Sequence, residues 1–236
     1  MIGRAFFNTR GALCLLAAFA LAACGPGEAT QRKAFIEFLQ TRIVAKLGVH
    51  VPKLTAEETA VFGGYAKHYA VIADFNNTLD SAVSLPLQQA IAAGAPRSLD
   101  EVVARRQDIA AIAAGLATIR TALDQQLAIA DAAHAALKQP DDLKPVYDAA
   151  YERDVTMPAK AMAEIFPDAD AALKAILALA DFITEHQDAV KIQGSMIQIS
   201  DTALQGPLTA LIDAVRAKNE AIVKARQKLD ALVVGG

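Results

Sequence analysis

The sequence predicts an all-α protein, an elongated and mostly antiparallel helical bundle with long heptad-like helices and one small β-hairpin near residues 190–200. Three observations predict it. Of the 236 residues 52 are Ala, the strongest helix former, while Trp is absent and aromatic residues make up only 6%. Apolar side chains recur at alternating spacings of three and four over long stretches, the signature of helices with a buried stripe. Two helix-start signatures, Thr55 with Glu58 and Ser98 with Glu101, stand immediately before the two longest of these stretches. The net charge of −3 leaves no surplus of positive charge to neutralise phosphates, so nucleic acid is not an expected partner.

The first 24 residues read as an export signal rather than as part of the bundle. Arg4 and Arg10 precede an uncharged apolar run from Gly11 to Ala23 that ends at Cys24. As a helix that run rises about 20 Å, well short of the roughly 30 Å hydrocarbon core of a bilayer. Leu21-Ala22-Ala23 directly before Cys24 resembles the lipobox of bacterial lipoproteins. The resemblance implies a signal peptide over residues 1–23, a diacylated Cys24 and a lipidated tether over residues 24–30. Ordinary cleavage after Ala20-Leu21-Ala22 is the alternative, and it would leave Cys24 a free thiol. Gly25 stands where an Asp, in the lipoproteins this one resembles, marks retention in the inner membrane, so the implied destination is the outer membrane, facing the periplasm. Buried acyl chains contribute about 0.8 kcal/mol per methylene, enough for a stable anchor when several are attached. Cys14 leaves with the signal, so a disulfide within the mature chain is not possible.

Residues 31–236 read as a single helical domain. The first helix, 31–47, puts Phe35, Phe38, Leu39, Ile43 and Leu47 on one stripe and stops at Gly48. Its polar face carries Arg32, Lys33, Arg42 and Lys46, which suits a membrane surface, but Glu37 interrupts it and a core-facing stripe is the preferred reading. The second helix follows Thr55 with a seam of Phe62, Tyr65, Tyr69, Ile72, Asn76, Leu79 and Val83, until Pro86 kinks or ends it. Asn76 on that seam is read as fixing register or bonding to another helix, ahead of contacting a ligand. Gly94-Ala95-Pro96 is a break.

The longest helix follows Ser98. Val102, Arg105, Ile109, Ile112, Leu116, Ile119, Leu123, Gln126, Ala130, Ala133 and Leu137 sustain five heptads, which predicts a helix of roughly 40 residues and about 60 Å. Asp141 or Asp142 can cap a shorter helix from Leu143 to Val155, and Pro158 and Pro167 punctuate the chain beyond it. Leu173, Ile176, Ala180, Ile183 and Val190 form the next stripe. Val190 and Ile192, then Gly194-Ser195, then Ile197 and Ile199 alternate with polar residues and predict the hairpin. The last helix, 207–233, carries Leu208, Leu211, Val215, Ile222, Ala225, Leu229 and Leu232 on its seam, with Pro207 in its first turn.

Catalytic patterns are not found. His50, His68, His134 and His186 are far apart in sequence, and none pairs at helical spacing with another, so neither a metal nor another cofactor is expected. Ser195 lies in no nucleophile elbow and reads as a turn residue. Asp131, His134, Lys138, Asp141, Asp142 and Lys144 form the densest polar cluster, in which Asp131 and the helix end would favour protonated His134. A structural turn is the preferred reading.

Two segments, Gln31-Arg-Lys-Ala-Phe-Ile-Glu-Phe-Leu-Gln40 and the run from Asp131 through His134, Pro140 and Pro145 to Tyr147, resemble the YiaF-like family of uncharacterised envelope lipoproteins. The resemblance implies lipidation, envelope location and a mainly helical domain, and supplies no catalytic residue. The expected function is accordingly non-enzymatic: a lipid-anchored bundle that acts through an envelope protein partner, self-association or a structural role. The alternative is a carrier for a small apolar or amphiphilic ligand held between helices, where Phe62, Tyr65 and Tyr69 offer aromatic surface, with Tyr65, Tyr69 and Asn76 as the candidate ligand or partner surface.

Overall fold

Helix α1 (Glu28–Leu39) begins three residues earlier than the stripe predicts, so Glu28 to Thr30 are helical rather than tether. The computed structural model describes residues 27–193 and 196–234. The expected signal peptide, Cys24 with Gly25 and Pro26, and the turn pair Gly194-Ser195 lie outside the described residues. Helix α1 runs on through a π turn, Gln40–Val44, and buries Phe35, Phe38, Leu39 and Ile43 in the core. Its apolar face is therefore taken up by the bundle. Leu47, expected on the same stripe, lies beyond the last helical turn and is 79% exposed. The chain reverses near Gly48, whose φ of 74° suits glycine. Arg153 holds this turn by donating to the carbonyls of Gly48 and Lys46.

Helix α2 (Ala56–Phe62) opens on the predicted capping box. The Thr55 hydroxyl accepts from the Glu58 N–H at 3.1 Å, and the Glu58 carboxylate accepts from the Thr55 N–H at 2.8 Å. A 3₁₀ turn, Gly63–Tyr65, leads into α3 (Ala66–Leu79), a π turn (Asp80–Ser84) and α4 (Leu85–Gly94). Of the two outcomes expected at Pro86, a kink or an end, the end does not occur and the helical path continues. Proline lacks an N–H and its ring collides with the carbonyl four residues back. The π turn just before it opens the ladder, and Pro86 enters in the first turn of α4, where no N–H partner is required. The same arrangement recurs where a π turn, Glu152–Thr156, precedes Pro158 in the first turn of α8 (Met157–Ala163).

The long helix expected after Ser98 is divided at Arg105, whose φ of −104° and ψ of 14° separate α5 (Leu99–Ala104) from α6 (Arg106–Ala136). At 31 residues, α6 is about 46 Å long rather than 60 Å. The seam survives the break, with Val102, Ile109, Leu116, Leu123 and Ala130 all buried. Ser98 accepts from the Glu101 N–H as predicted, but Glu101 reaches back to the N–H of Arg97 rather than of Ser98. Helix α7 (Lys144–Tyr151) starts after Leu143, without a side-chain cap. Neither Asp141 nor Asp142 caps it, and Asp142 instead pairs with Arg32 at 3.1 Å. Helix α9 (Ile165–Glu185) accommodates Pro167 in its first turn. Strands β1 (Val190–Gln193) and β2 (Met196–Ile199) pair antiparallel, Val190 opposite Ile199 and Gln193 opposite Met196, forming the predicted hairpin. Helix α10 (Gln205–Val234) closes the chain. Leu208 is buried and Leu211, Val215, Ile222 and Leu229 are half-buried, while the side chains of Ala225 and Leu232 lie outside the described residues.

Helix α6 is central. It packs against α3 and α4 on one side and α9 on the other, and α10 covers α9 and reaches α8. Helices α1, α2 and α7 gather at the end where α3 begins. One continuous hydrophobic core runs through these layers.

Candidate functional site

The aromatic residues singled out from the sequence are core side chains. The Phe35 ring lies 5.4 Å from that of Phe62 and 5.8 Å from that of Tyr65. The Phe38 ring lies 5.1 Å from Phe62 and 5.2 Å from Tyr69. Such contacts add to the burial energy of large rings. Both hydroxyls are engaged: Tyr69 donates to the Pro52 carbonyl at 2.6 Å, and Tyr65 donates to Glu28. Burial pushes the Tyr69 hydroxyl well above the usual phenol range, as it does, together with Glu28, for Tyr65. Neither ring offers open surface to a ligand. Asn76 donates to the Ile72 carbonyl in its own helix and to the Asp154 carbonyl, both at 2.9 Å. It is a cross-helix tie.

That tie leads to a carboxylate that sequence reasoning missed. Asp154, in the π turn after α7, is wholly buried. Its Oδ1 accepts the N–H of His50 at 3.3 Å, and Oδ2 has no hydrogen-bond partner among the described residues. Burial drives its pKa up to about 7, against the pull of the His50 N–H and the Arg153 charge. Only the need of seam residue Asn76 for a distant partner hinted at it. Asp154 does not line the cleft described below.

The polar cluster between α6 and α7 separates into pairs. His134 meets Asp148 at 2.9 Å rather than Asp131, and Lys144 meets the other oxygen of Asp148 at 2.7 Å. Burial would raise the Asp148 carboxyl, but Lys144 and His134 together hold it below the usual range. Asp131 instead accepts from the Tyr151 hydroxyl at 2.7 Å. The His134 ring lies 4.1 Å from that of Tyr151 and so belongs to the aromatic core. Among the described residues no three His, Cys, Asp or Glu side chains could hold a metal ion. No described helix is long and apolar enough to cross a membrane.

The open space lies elsewhere. A cleft of about 540 Å³ lies between the corner joining α4 to α5, the middle of α9 and the face of α10. Small side chains create it: Ala90, Gly94, Ala169 and Ala172 leave room that larger residues would fill. Gly94 permits especially close approach, because a Cβ there would stand 2.9 Å from a methyl of Leu173. Ile91, Leu173, Ile176, Ile212, Val215 and Ile222 supply apolar wall, and the polar lining is Arg97, Ser98, Arg216 and Asn219. The volume falls within the ~300–1,000 Å³ typical of small-molecule sites. Sequence periodicity could not reveal this cleft, because it marks which residues face a neighbour and not where two faces stand apart. The Gly94-Ala95-Pro96 break is its one visible trace.

Residues 12–230 match a family described as "Protein of unknown function (DUF3053)". The uncharacterised protein YiaF of Escherichia coli strain K12 is 30% identical over 212 residues, 89% of each chain. The uncharacterised protein YiaF of Shigella flexneri matches to the same extent. No solved structure matches the chain.

Proposed function

The chain belongs to this DUF3053 family of proteins of unknown function, and from that premise we propose that it is a non-catalytic, lipid-anchored envelope protein that faces the periplasm and binds a small apolar or amphiphilic ligand. The cleft between the α4–α5 corner, α9 and α10 carries the ligand reading. The protein-contact reading depends on apolar seams left over after folding. The seams of α3 and α6 are instead consumed inside the molecule. The anchor reading rests on the lipobox-like Leu21-Ala22-Ala23-Cys24. Only Gly25, Pro26 and Gly27 separate that cysteine from α1, so the bundle would stand close to the lipid surface.

Two results are expected. Cells fed an alkyne-tagged fatty acid incorporate the tag into the wild-type protein, and Cys24→Ala abolishes labelling; equal labelling would remove the anchor. Native mass spectrometry of protein gently extracted from its membrane shows a bound species of a few hundred daltons. Val215→Trp, which puts a bulky ring into the cleft, removes that species while the circular dichroism stays helical. A wild-type protein carrying no added mass, or an adduct untouched by Val215→Trp, would overturn the cleft as the binding site.

A further inference from the structure

The cleft has a sign. Its charged lining residues are Arg97 and Arg216, and among the described residues no carboxylate lines it. Arg97 follows the Ala95-Pro96 corner, and its side chain is exposed with no partner among the described residues; its backbone N–H alone is engaged, by Glu101 at 2.9 Å. Arg216 lines the cleft from α10, held at 3.1 Å by Asp213 one turn earlier and exposed to solvent. Ser98 and Asn219 add neutral hydrogen-bonding groups beside the two cations. Walls of Ile, Leu and Val on one part and two guanidinium groups on another describe an amphiphilic site that complements an acidic head on an apolar tail.

Volume limits the tail. If a methylene occupies about as much space as a molecule of liquid water, roughly 30 Å³, then 540 Å³ holds on the order of eighteen such groups. That is the size of one acyl chain with its head. Position adds a direction. The helical path from Ala66 to Gly94, about 40 Å along the chain, runs from the turn packed on α1 to the corner that borders the cleft. Tyr65, adjoining Ala66, touches Glu28 at the start of α1, which fixes which end is which.

We propose that the cleft selects a single-chain amphiphile with an acidic head, gripped between Arg97 and Arg216 and held away from the end of the bundle that joins the tether. The proposal rests on the ligand reading above and adds the charge and the number of chains of its occupant.

The chain contains no Trp, so one introduced at Ala95, on the rim of the cleft, is its sole indole. With the full-length processed protein in a nanodisc, bromine on an acyl chain in the cleft quenches that indole. Bromine dissolved in the bilayer is too distant to do so. The ω-bromododecanoate ion and ω-bromododecyl phosphate are expected to quench at concentrations about tenfold lower than ω-bromododecanol, in keeping with charge-assisted pairing to guanidinium. Arg97→Gln/Arg216→Gln should erase that preference, so that acid and alcohol quench alike, while the circular dichroism stays helical. A larger effect of the carboxylate than of the phosphate, or the reverse, identifies the head. Equal quenching by acid and alcohol in the parent would overturn the acidic-head assignment while leaving the cleft a binding site. Quenching by a brominated two-chain phosphatidic acid equal to that by the single-chain acids would overturn the chain count. Absence of quenching by any of them would overturn both this proposal and the ligand reading.

Discussion

Asp154→Asn is expected to stabilise the protein by roughly 2–3 kcal/mol at pH 8 and to leave it unchanged or slightly weakened at pH 4. The carboxyl has no solvent exposure, and one of its oxygens has no partner among the described residues. Its folded pKa of about 7 stands above the ordinary value of 3.8. Between those two values the folded protein holds a proton that the unfolded chain has released. The contribution of this group is therefore fully present below the unfolded pKa, is lost as the pH rises toward 7, and is flat above it. At about 1.4 kcal/mol per unit the span amounts to roughly 4 kcal/mol. Asn keeps the acceptor for the His50 N–H and removes the charge, but its amide N–H₂ would stand where Oδ2 finds nothing, which costs about 1–2 kcal/mol. Urea unfolding of wild type and variant at pH 4, 6 and 8 measures the difference. Parallel pH profiles for the two proteins would show that Asp154 is not the group responsible.

Asp154 is invisible in the sequence while its neighbours are legible, and the reason is what periodicity reports. Burial at Ile72, Leu79, Ile109, Leu116 and Leu123 is readable because each is apolar and each repeats at a spacing that a helix turns into a face. Asp154 follows Glu152 and Arg153, and nothing in that run distinguishes the one charge that faces inward from the two that do not. The π turn makes the difference, since an extra residue in a turn rotates everything after it relative to the stripe before it. The π turns likewise carry the helical path past Pro86 and Pro158, where an end is one of the expected outcomes. A proline is incompatible with an unbroken α ladder, not with a helical segment whose ladder has already been opened. The open space escapes the sequence for a related reason. Tyr65 and Tyr69 suggest a ligand surface because they are large and aromatic, yet such residues fill space; the cleft is found where Ala90, Gly94, Ala169 and Ala172 fail to fill it.

Phe35→Ala is expected to destabilise the protein by about 3–5 kcal/mol. Phe35 has no exposure, and its ring packs with Phe38, Phe62 and Tyr65, so the deletion opens a cavity at the seat of α1. Tyr65→Phe is the control. It keeps the ring and gives up the hydroxyl's contacts with Glu28 and Arg32, so it should cost about 1–2 kcal/mol. Hydrogen exchange distinguishes where the loss falls. In Phe35→Ala the amides of α1 should lose protection first, with those of α6 and α9 following only near global unfolding, because α1 is held to the rest chiefly through this aromatic seat and α7. Simultaneous loss across all helices would mean that α1 is not a separable unit. The distinction bears on function. If lipid is attached at Cys24, α1 is the element that joins the tether to the bundle, and the strength of its docking determines whether the cleft is held at a fixed height or swings on a released helix.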